Sequence, residues 1–140
     1  MNNTPMNIEI STDPDRLDLD TIHRWLSEET YWARGRSREL MQRSFDNSIC
    51  FGAYLGDRQV GFARVVTDRA TFAWLADVFI AGEHRGRGYG KALVAAVLAY
   101  PELQGLRRWL LATKDAHGLY AQNGFDVVPD GRFMQRLAER

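Results

Sequence analysis

The chain has 140 residues, which predicts one domain, and its 45% hydrophobic and 26% charged residues are typical of a globular protein. Its 18 Lys and Arg residues balance its 18 Asp and Glu residues, so no overall field favours nucleic acid or an anionic membrane. The longest apolar run, residues 92–100, is too short to span a bilayer, and the first ten residues do not resemble a secretory signal. We expect one soluble, cytoplasmic domain over residues 1–140, without nucleic-acid or membrane partners.

The first third of the chain predicts a short strand and two helices. Residues 6–10 alternate weakly between polar and apolar side chains, which indicates a strand. Ile22, Trp25 and Leu26 have the spacing of one helix face, and Asp18 or Asp13-Pro14 suits its start. After a break at residues 31–35, Ser37 suits the N-cap of a second helix.

The middle of the chain predicts three antiparallel strands in succession, at residues 49–55, 59–66 and 71–80, joined by tight turns. A Gly-rich turn then leads into a helix from about residue 89 to residue 100, which is apolar on nearly every side. The remaining prediction is a strand at 107–112, a helix at 116–122 capped by Asp115, and two last strands at 125–128 and 132–137. This order indicates an α+β fold with helices on a mixed, mostly antiparallel sheet.

The Gly-rich turn has the features of a phosphate site. Its sequence is Arg85-Gly86-Arg87-Gly88-Tyr89-Gly90-Lys91. Alternating glycines bring several N–H groups to one side, and a helix N-terminus adds unpaired N–H groups and a positive dipole end. A Walker A loop would need Gly at position 85 and Ser or Thr at position 92, and the dinucleotide pattern would need Gly at position 91. The pattern that remains is Arg85-x-x-Gly88-x-Gly90.

This pattern closely resembles the acyl-CoA pyrophosphate loop of the GNAT family (GCN5-related N-acetyltransferases). Downstream, residues 119–125 (Leu-Tyr-Ala-Gln-Asn-Gly-Phe) look like the family's L-Y-x-x-x-G-F signature, and residues 75–80 resemble its central strand. The resemblance covers about residues 50–128, whereas the first two helices match only in type and order. It implies a GNAT-type acyl-CoA fold: a central mixed, mostly antiparallel twisted sheet flanked by helices.

The implied activity is acetyl-CoA-dependent transfer of an acetyl group to a primary amine of a small molecule or protein, directly within a ternary complex. The alternative is a CoA-binding sensor or interaction module that has the same fold without efficient transfer. Similar proteins often pair through sheet edges and C-terminal strands, so the resemblance also allows a homodimer.

The resemblance assigns roles to individual residues. Backbone groups of Val78, Phe79 and Ile80 would bind the pantetheine arm where the central strand splays from its neighbour, and the amides of residues 86–91 would hold the pyrophosphate. Tyr120 would stand near the thioester sulfur as general acid. The family's Asn before the last helix is missing here, so Thr113 or Asp115 would replace its cofactor contact. The cofactor-binding residues we expect are Val78, Phe79, Ile80, Arg85, Gly86, Arg87, Gly88, Tyr89, Gly90, Lys91 and Thr113.

Two candidate catalytic residues follow from chemistry as well. The phenol of Tyr120 has an ordinary pKa near 10, which suits protonation of a departing thiolate; alternatively, its hydroxyl bonds a backbone carbonyl. Asp77 interrupts an apolar strand, and burial would raise its pKa toward that of a useful base. Strand alternation would put Asp77 on the face of Leu75 and Phe79. Alternatively, Asp77 pairs with Arg64, or a water chain deprotonates the amine.

The break between the first two helices contains Tyr31 and Trp32. The family resemblance places the acceptor site near there, so these side chains line an acceptor pocket or else plug the end of the core. The single cysteine, Cys50, allows no internal disulfide and cannot alone form a zinc site, and we interpret it as a core residue. We expect no metal.

Overall fold

A computed structural model of the chain describes residues 8–138, and its elements follow the predicted order as far as the fourth helix. The strands are β1 (Ile8–Ser11), β2 (Ile49–Leu55), β3 (Arg58–Thr67), β4 (Phe72–Ile80) and β5 (Arg108–Leu110). The helices are α1 (Leu19–Glu29), α2 (Arg38–Asp46), α3 (Tyr89–Leu98) and α4 (His117–Ala121). Of the predicted first strand, Met6 and Asn7 lie outside the described residues.

The five strands form one sheet in the order β1-β2-β3-β4-β5. Neighbours from β1 to β4 are antiparallel, and β5 lies parallel to β4 because the crossover through α3 returns the chain to the same end of the sheet. The predicted α+β class and the mixed, mostly antiparallel sheet are therefore confirmed.

Helices cover both faces of the sheet. Ile22, Trp25 and Leu26 of α1 pack with α2 and with Phe62 and Phe79 on one face, in a core that also contains Cys50. On the other face, α3 and α4 pack over the larger core, and this is why α3 is apolar on nearly every side. Side-chain caps fix the starts of the first two helices, since Asp18 accepts a hydrogen bond from the Thr21 N–H and Ser37 from the Leu40 N–H.

Strand β4 changes faces at a bulge. Asp77 has a positive φ of 56°, and the pairing with β3 shifts there, so that Phe62 is opposite Phe79 but Arg64 is opposite Ala76. Leu75 therefore belongs to the core under α3, whereas Phe79 belongs to the core under α1 and α2. The expectation that both share a face was wrong, because the extra residue breaks the two-residue alternation.

Strand β4 also splays from its parallel neighbour. β5 pairs with β4 only from Phe72 to Trp74, whereas β4 runs on to Ile80. Within residues 8–138, no strand lies beside the second half of β4 on this edge. The backbone of Val78, Phe79 and Ile80 thus lies at the opening between two diverging strands, where the pantetheine arm was predicted.

The end of the chain differs from the prediction. Residues 125–128 and 132–137 form no strands, and residues 129–138 are exposed. Apolar side chains in short runs suit a strand, but no backbone of this segment is hydrogen-bonded to the short edge strand β5. Asp115 does not cap α4 either, since the Ala116 N–H bonds to the Thr113 hydroxyl instead. Among the helices described, none has the length and hydropathy needed to cross a membrane.

Candidate active site

The turn before α3 presents a row of free backbone donors. Helix α3 begins after Gly88, whose φ of 84° places it in the left-handed region, and Gly86 has a φ of 79°. The Ala92 N–H donates to the Gly88 carbonyl at 3.0 Å. Before it, the N–H groups of all residues from 86 to 91 find no acceptor within residues 8–138. Successive free donors at a helix start form a concave anion site.

The space in front of this turn is open. A Cβ atom added at Gly86 or Gly88 would meet no atom within 4 Å, so no atom of the described chain fills the space beside these two glycines. A Cβ atom at Gly90 would lie 3.9 Å from Ile80 and 4.0 Å from Leu119. The turn therefore lies next to both the end of β4 and helix α4, as a site shared by a phosphate and a thioester requires.

Arg85 attaches the turn to β4. Its Nε donates to the Ile80 carbonyl at 2.8 Å, and its guanidinium carbon lies 4.9 Å from the centre of the Phe79 ring. These contacts give Arg85 a structural role in positioning the loop, although Arg85, like Arg87 and Lys91, is exposed. The direct binding of cofactor by Arg85, Arg87 and Lys91 stays a prediction.

Tyr120 presents a phenol without a protein partner. The residue is buried on α4, and its ring lies 5.9 Å from that of Phe125 in an edge-to-face arrangement. No atom of the described chain accepts a hydrogen bond from its hydroxyl, so the alternative of a bond to a backbone carbonyl is not observed. Burial raises the pKa of Tyr120, so the phenol holds its proton at neutral pH.

Asp77 is held by three donors. Its Oδ2 accepts from Arg64 Nε at 2.8 Å and from Arg36 Nη1 at 2.9 Å, and its Oδ1 accepts from the Trp32 indole at 3.0 Å. Burial alone raises the pKa of this carboxyl, but the hydrogen bond from Arg36 and the charges of Arg64 and Arg36 outweigh burial and lower it. The expected rise was wrong, and the pairing with Arg64 is what the structure shows.

The segment between α1 and α2 is fastened over the bulge. Besides the bonds from Trp32 and Arg36 to Asp77, the His23 ring bonds to the Arg36 carbonyl at 2.8 Å, and the Gly35 N–H donates to the Ser27 carbonyl at 3.0 Å. Hydrogen bonds to α1 and β4 thus attach this segment at several points.

Tyr31 and Trp32 form the rim of this segment. They are 54% and 44% exposed, so they do not plug the core. Lys114, which follows β5, lies over the Tyr31 ring at 5.0 Å. These aromatic side chains therefore border an accessible surface beside Asp77, where the acceptor pocket was predicted.

Two further expectations have a structural answer. Cys50 is buried, and burial raises the pKa of its thiol to about 12, so it is an unreactive core residue. Thr113 uses its hydroxyl oxygen to accept the Ala116 N–H at 3.0 Å, and its contact with cofactor stays a prediction.

Sequence patterns missed Arg36, the second cation on Asp77. It lies 41 residues from Asp77 in the chain, within a segment that carries no periodic pattern. The one signal available was the carboxylate in an apolar strand, which requires a cation but does not say which one.

Comparisons with known proteins agree with this fold and site. Residues 19–125 match the model of the Acetyltransferase (GNAT) family. A crystal structure from Xanthomonas campestris pv. campestris, assigned to the GNAT family, is 53% identical, with a TM-score of 0.91 over 97% of this chain and 96% of that chain. A Gibberella zeae protein named provisionally as an acetyltransferase is 33% identical over 81% of this chain and 76% of its own length. The chain belongs to the GNAT acetyltransferase family.

A more distant neighbour shares the fold alone. The structure of a GNAT family acetyltransferase from Elizabethkingia anophelis with acetyl-CoA bound has a TM-score of 0.68 and 14% identity, over 89% of this chain and 79% of that chain.

Proposed function

We propose that this protein is an acetyl-CoA-dependent N-acetyltransferase that transfers the acetyl group directly to a primary amine. The row of free N–H groups from residue 86 to residue 91 is the observation that carries this proposal. It fits the pyrophosphate of CoA in donor number, in the positive end of the α3 dipole and in the open space before Gly86 and Gly88. The E. anophelis neighbour, with acetyl-CoA bound, supports the same cofactor.

The residues divide the chemical work between them. Bound acetyl-CoA supplies an activated acetyl group as a thioester. β5 leaves the edge of β4 unpaired at Val78, Phe79 and Ile80, and the backbone groups there that do not face β3 would orient the pantetheine arm. The partnerless phenol of Tyr120 would donate its proton to the departing thiolate, and its raised pKa keeps that proton available. Holding the acetyl donor and the amine acceptor together lowers the entropic part of the activation barrier by an amount on the order of several kcal/mol.

Asp77 fits the base role poorly. A carboxylate with a lowered pKa and two guanidinium partners is a weak proton acceptor. We propose instead that Asp77 positions Trp32 and Arg36 at the acceptor side, and that the ammonium group loses its proton through water. Tyr31 and Trp32 would border the acceptor.

The test is a pair of measurements on the purified protein. Acetyl-CoA and CoA should raise the melting temperature, because a ligand that binds only the folded state stabilises it. With a panel of amines, free thiol should then appear in a manner that depends on both substrates. No stabilisation by millimolar acetyl-CoA would refute the cofactor assignment. Stabilisation without thiol release from any amine or peptide would favour the CoA-binding module.

A further inference from the structure

The acceptor side of the bulge has more positive charge than the chain neutralises. Arg36 and Arg64 both bond to the single carboxylate of Asp77, which leaves one surplus positive charge. Their side chains are only 18% and 13% exposed. In residues 8–138, no other carboxylate lies within ion-pair distance of either arginine. An anionic ligand that bonds to these guanidinium groups would balance the surplus charge.

Both arginines also have donors to spare. Arg36 uses only Nη1, whereas Arg64 uses Nε for Asp77 and Nη1 for the Ser48 hydroxyl at 3.1 Å. In the described part of the chain, the other N–H groups of both side chains have no acceptor. They are in contact with solvent, because the only buried side-chain polar atoms without a partner there are the ring nitrogens of His84. Free guanidinium N–H groups bind a carboxylate or phosphate through paired hydrogen bonds.

These donors lie beside the site where the acceptor would bind. Asp77 directly precedes Val78, where β4 faces the splayed opening, and Trp32 on the exposed rim bonds to the same carboxylate. Lys114 over the Tyr31 ring adds another cation to this rim. An acceptor whose only charge is its ammonium group would therefore form no ion pair with Arg36, Arg64 or Lys114.

We infer that the acceptor amine carries an anionic group, a carboxylate or a phosphate, and that Arg36 and Arg64 bind this group. The inference rests on the proposed function, since it concerns the second substrate of that reaction. Arg36 and Arg64 act as specificity-determining residues, and Asp77 offsets one of their two positive charges.

The experiment measures anion binding to protein saturated with CoA, so that the turn before α3 is already occupied. Sodium phosphate and sodium acetate replace chloride at constant ionic strength, and the melting temperature is recorded. The wild type should be stabilised by at least one anion, and the more effective anion identifies the group. Arg36→Gln should weaken that anion's binding by about tenfold or more, as expected for one lost charge-assisted contact. Arg38→Gln, at an exposed arginine of α2 paired with Asp20, should not change it.

A second variant separates recognition from a merely structural role. Asp77→Asn removes the competing carboxylate and retains both arginines. Its affinity for the anion should therefore be higher than that of the wild type, whereas the affinity of Arg36→Gln should be lower. A structural role alone would weaken binding in both variants. Should Arg36→Gln fail to fold, Arg36→Lys retains the charge without the planar fork and should weaken binding less.

Two results would overturn the inference: no anion-specific stabilisation of the CoA-loaded wild type, or weaker binding in Asp77→Asn as well as in Arg36→Gln. Failure of the proposed function would show separately, as an absence of stabilisation by CoA itself.

Discussion

At the scale of single residues, Tyr120 and Tyr54 differ in the hydrogen bonding of their hydroxyl groups. Its hydroxyl is attached to a buried ring but has no acceptor in residues 8–138, whereas the hydroxyl of Tyr54 donates to the Arg16 carbonyl at 3.0 Å. The Tyr120 hydroxyl is not among the buried polar atoms of the described chain, so it contributes no protein hydrogen bond to folding and is open to solvent or a ligand. The two tyrosines therefore separate a proposed chemical role from a structural one.

Tyr120→Phe should lower kcat by roughly 10²-fold, the lower end of what general acid catalysis contributes. CoA affinity and the free energy of unfolding should stay nearly unchanged, because no protein hydrogen bond is lost. The matched control Tyr54→Phe should cost about 1 kcal/mol of stability and leave kcat as it is. Steady-state kinetics and urea denaturation of both variants make the comparison. Equal kcat in Tyr120→Phe and wild type would remove the acid role.

Asp77→Asn should destabilise the protein by about 3 kcal/mol at pH 7, because two partly buried guanidinium groups lose their counter-charge. Asn tolerates the positive φ at this position, so backbone strain does not add to the measured loss of stability. The folded pKa of Asp77 is lowered, so its stabilising effect is present above the unfolded pKa of about 3.9 and is lost as the pH falls through the folded value.

The stability difference between wild type and Asp77→Asn should therefore narrow below about pH 4. Urea denaturation at a series of pH values measures this difference. A gap that stays constant down to pH 2 would mean that the carboxylate charge does not stabilise the fold.

At the scale of single elements, the glycine turn and the start of α3 form the proposed diphosphate site. Gly88 and Gly105 form a natural pair for comparison. Both have positive φ, 84° and 79°, and an added Cβ would meet nothing within 4 Å at either position. Gly105 follows the last turn after α3, away from the row of free N–H groups.

Gly88→Ala and Gly105→Ala should each cost about 1–2 kcal/mol of stability, since alanine is strained in the left-handed region. Only Gly88→Ala should weaken CoA binding, by about tenfold or more, because its methyl group enters the space that the pyrophosphate would occupy. Calorimetric titration with CoA measures this difference. Equal CoA affinity in the two variants would place the diphosphate elsewhere.

The elements also show which structural signals a sequence contains. Helices α1 and α2 and the three-strand meander were predictable, because caps such as Asp18 and Ser37 and the apolar period act over a few residues. The bulge at Asp77 was not predictable, since no neighbouring residue in the sequence requires a positive φ there. The role of Arg36 depends on that bulge and on a contact across 41 residues, so it became visible only in three dimensions.

At the scale of the whole molecule, the fully buried side chains lie in the two cores, whereas residues 129–138 are exposed. A strand was predicted at residues 132–137, but a strand needs a partner for its backbone, and β5 pairs for only three residues. Met134 is consequently 97% exposed, whereas Met41 of α2 is fully buried. The same residue type thus occurs in opposite environments.

Met41→Ala should cost about 2–5 kcal/mol in the free energy of unfolding, and Met134→Ala less than about 0.5 kcal/mol. Urea denaturation of both variants, monitored by far-UV circular dichroism, compares them directly. A loss in Met134→Ala approaching that of Met41→Ala would show that the chain end packs against the domain.

The reversal of side-chain direction within β4 has a consequence for how such a protein can change. Val78 and Ile80 point into the layer of α3 and α4, together with the glycine turn and Tyr120, whereas Asp77 and Phe79 point toward α1 and α2. Under the proposed function, substitutions in the segment between α1 and α2 would change which amine is accepted without altering the residues proposed to bind the acyl donor. The extra residue in the strand would then allow the two proposed sites to vary independently.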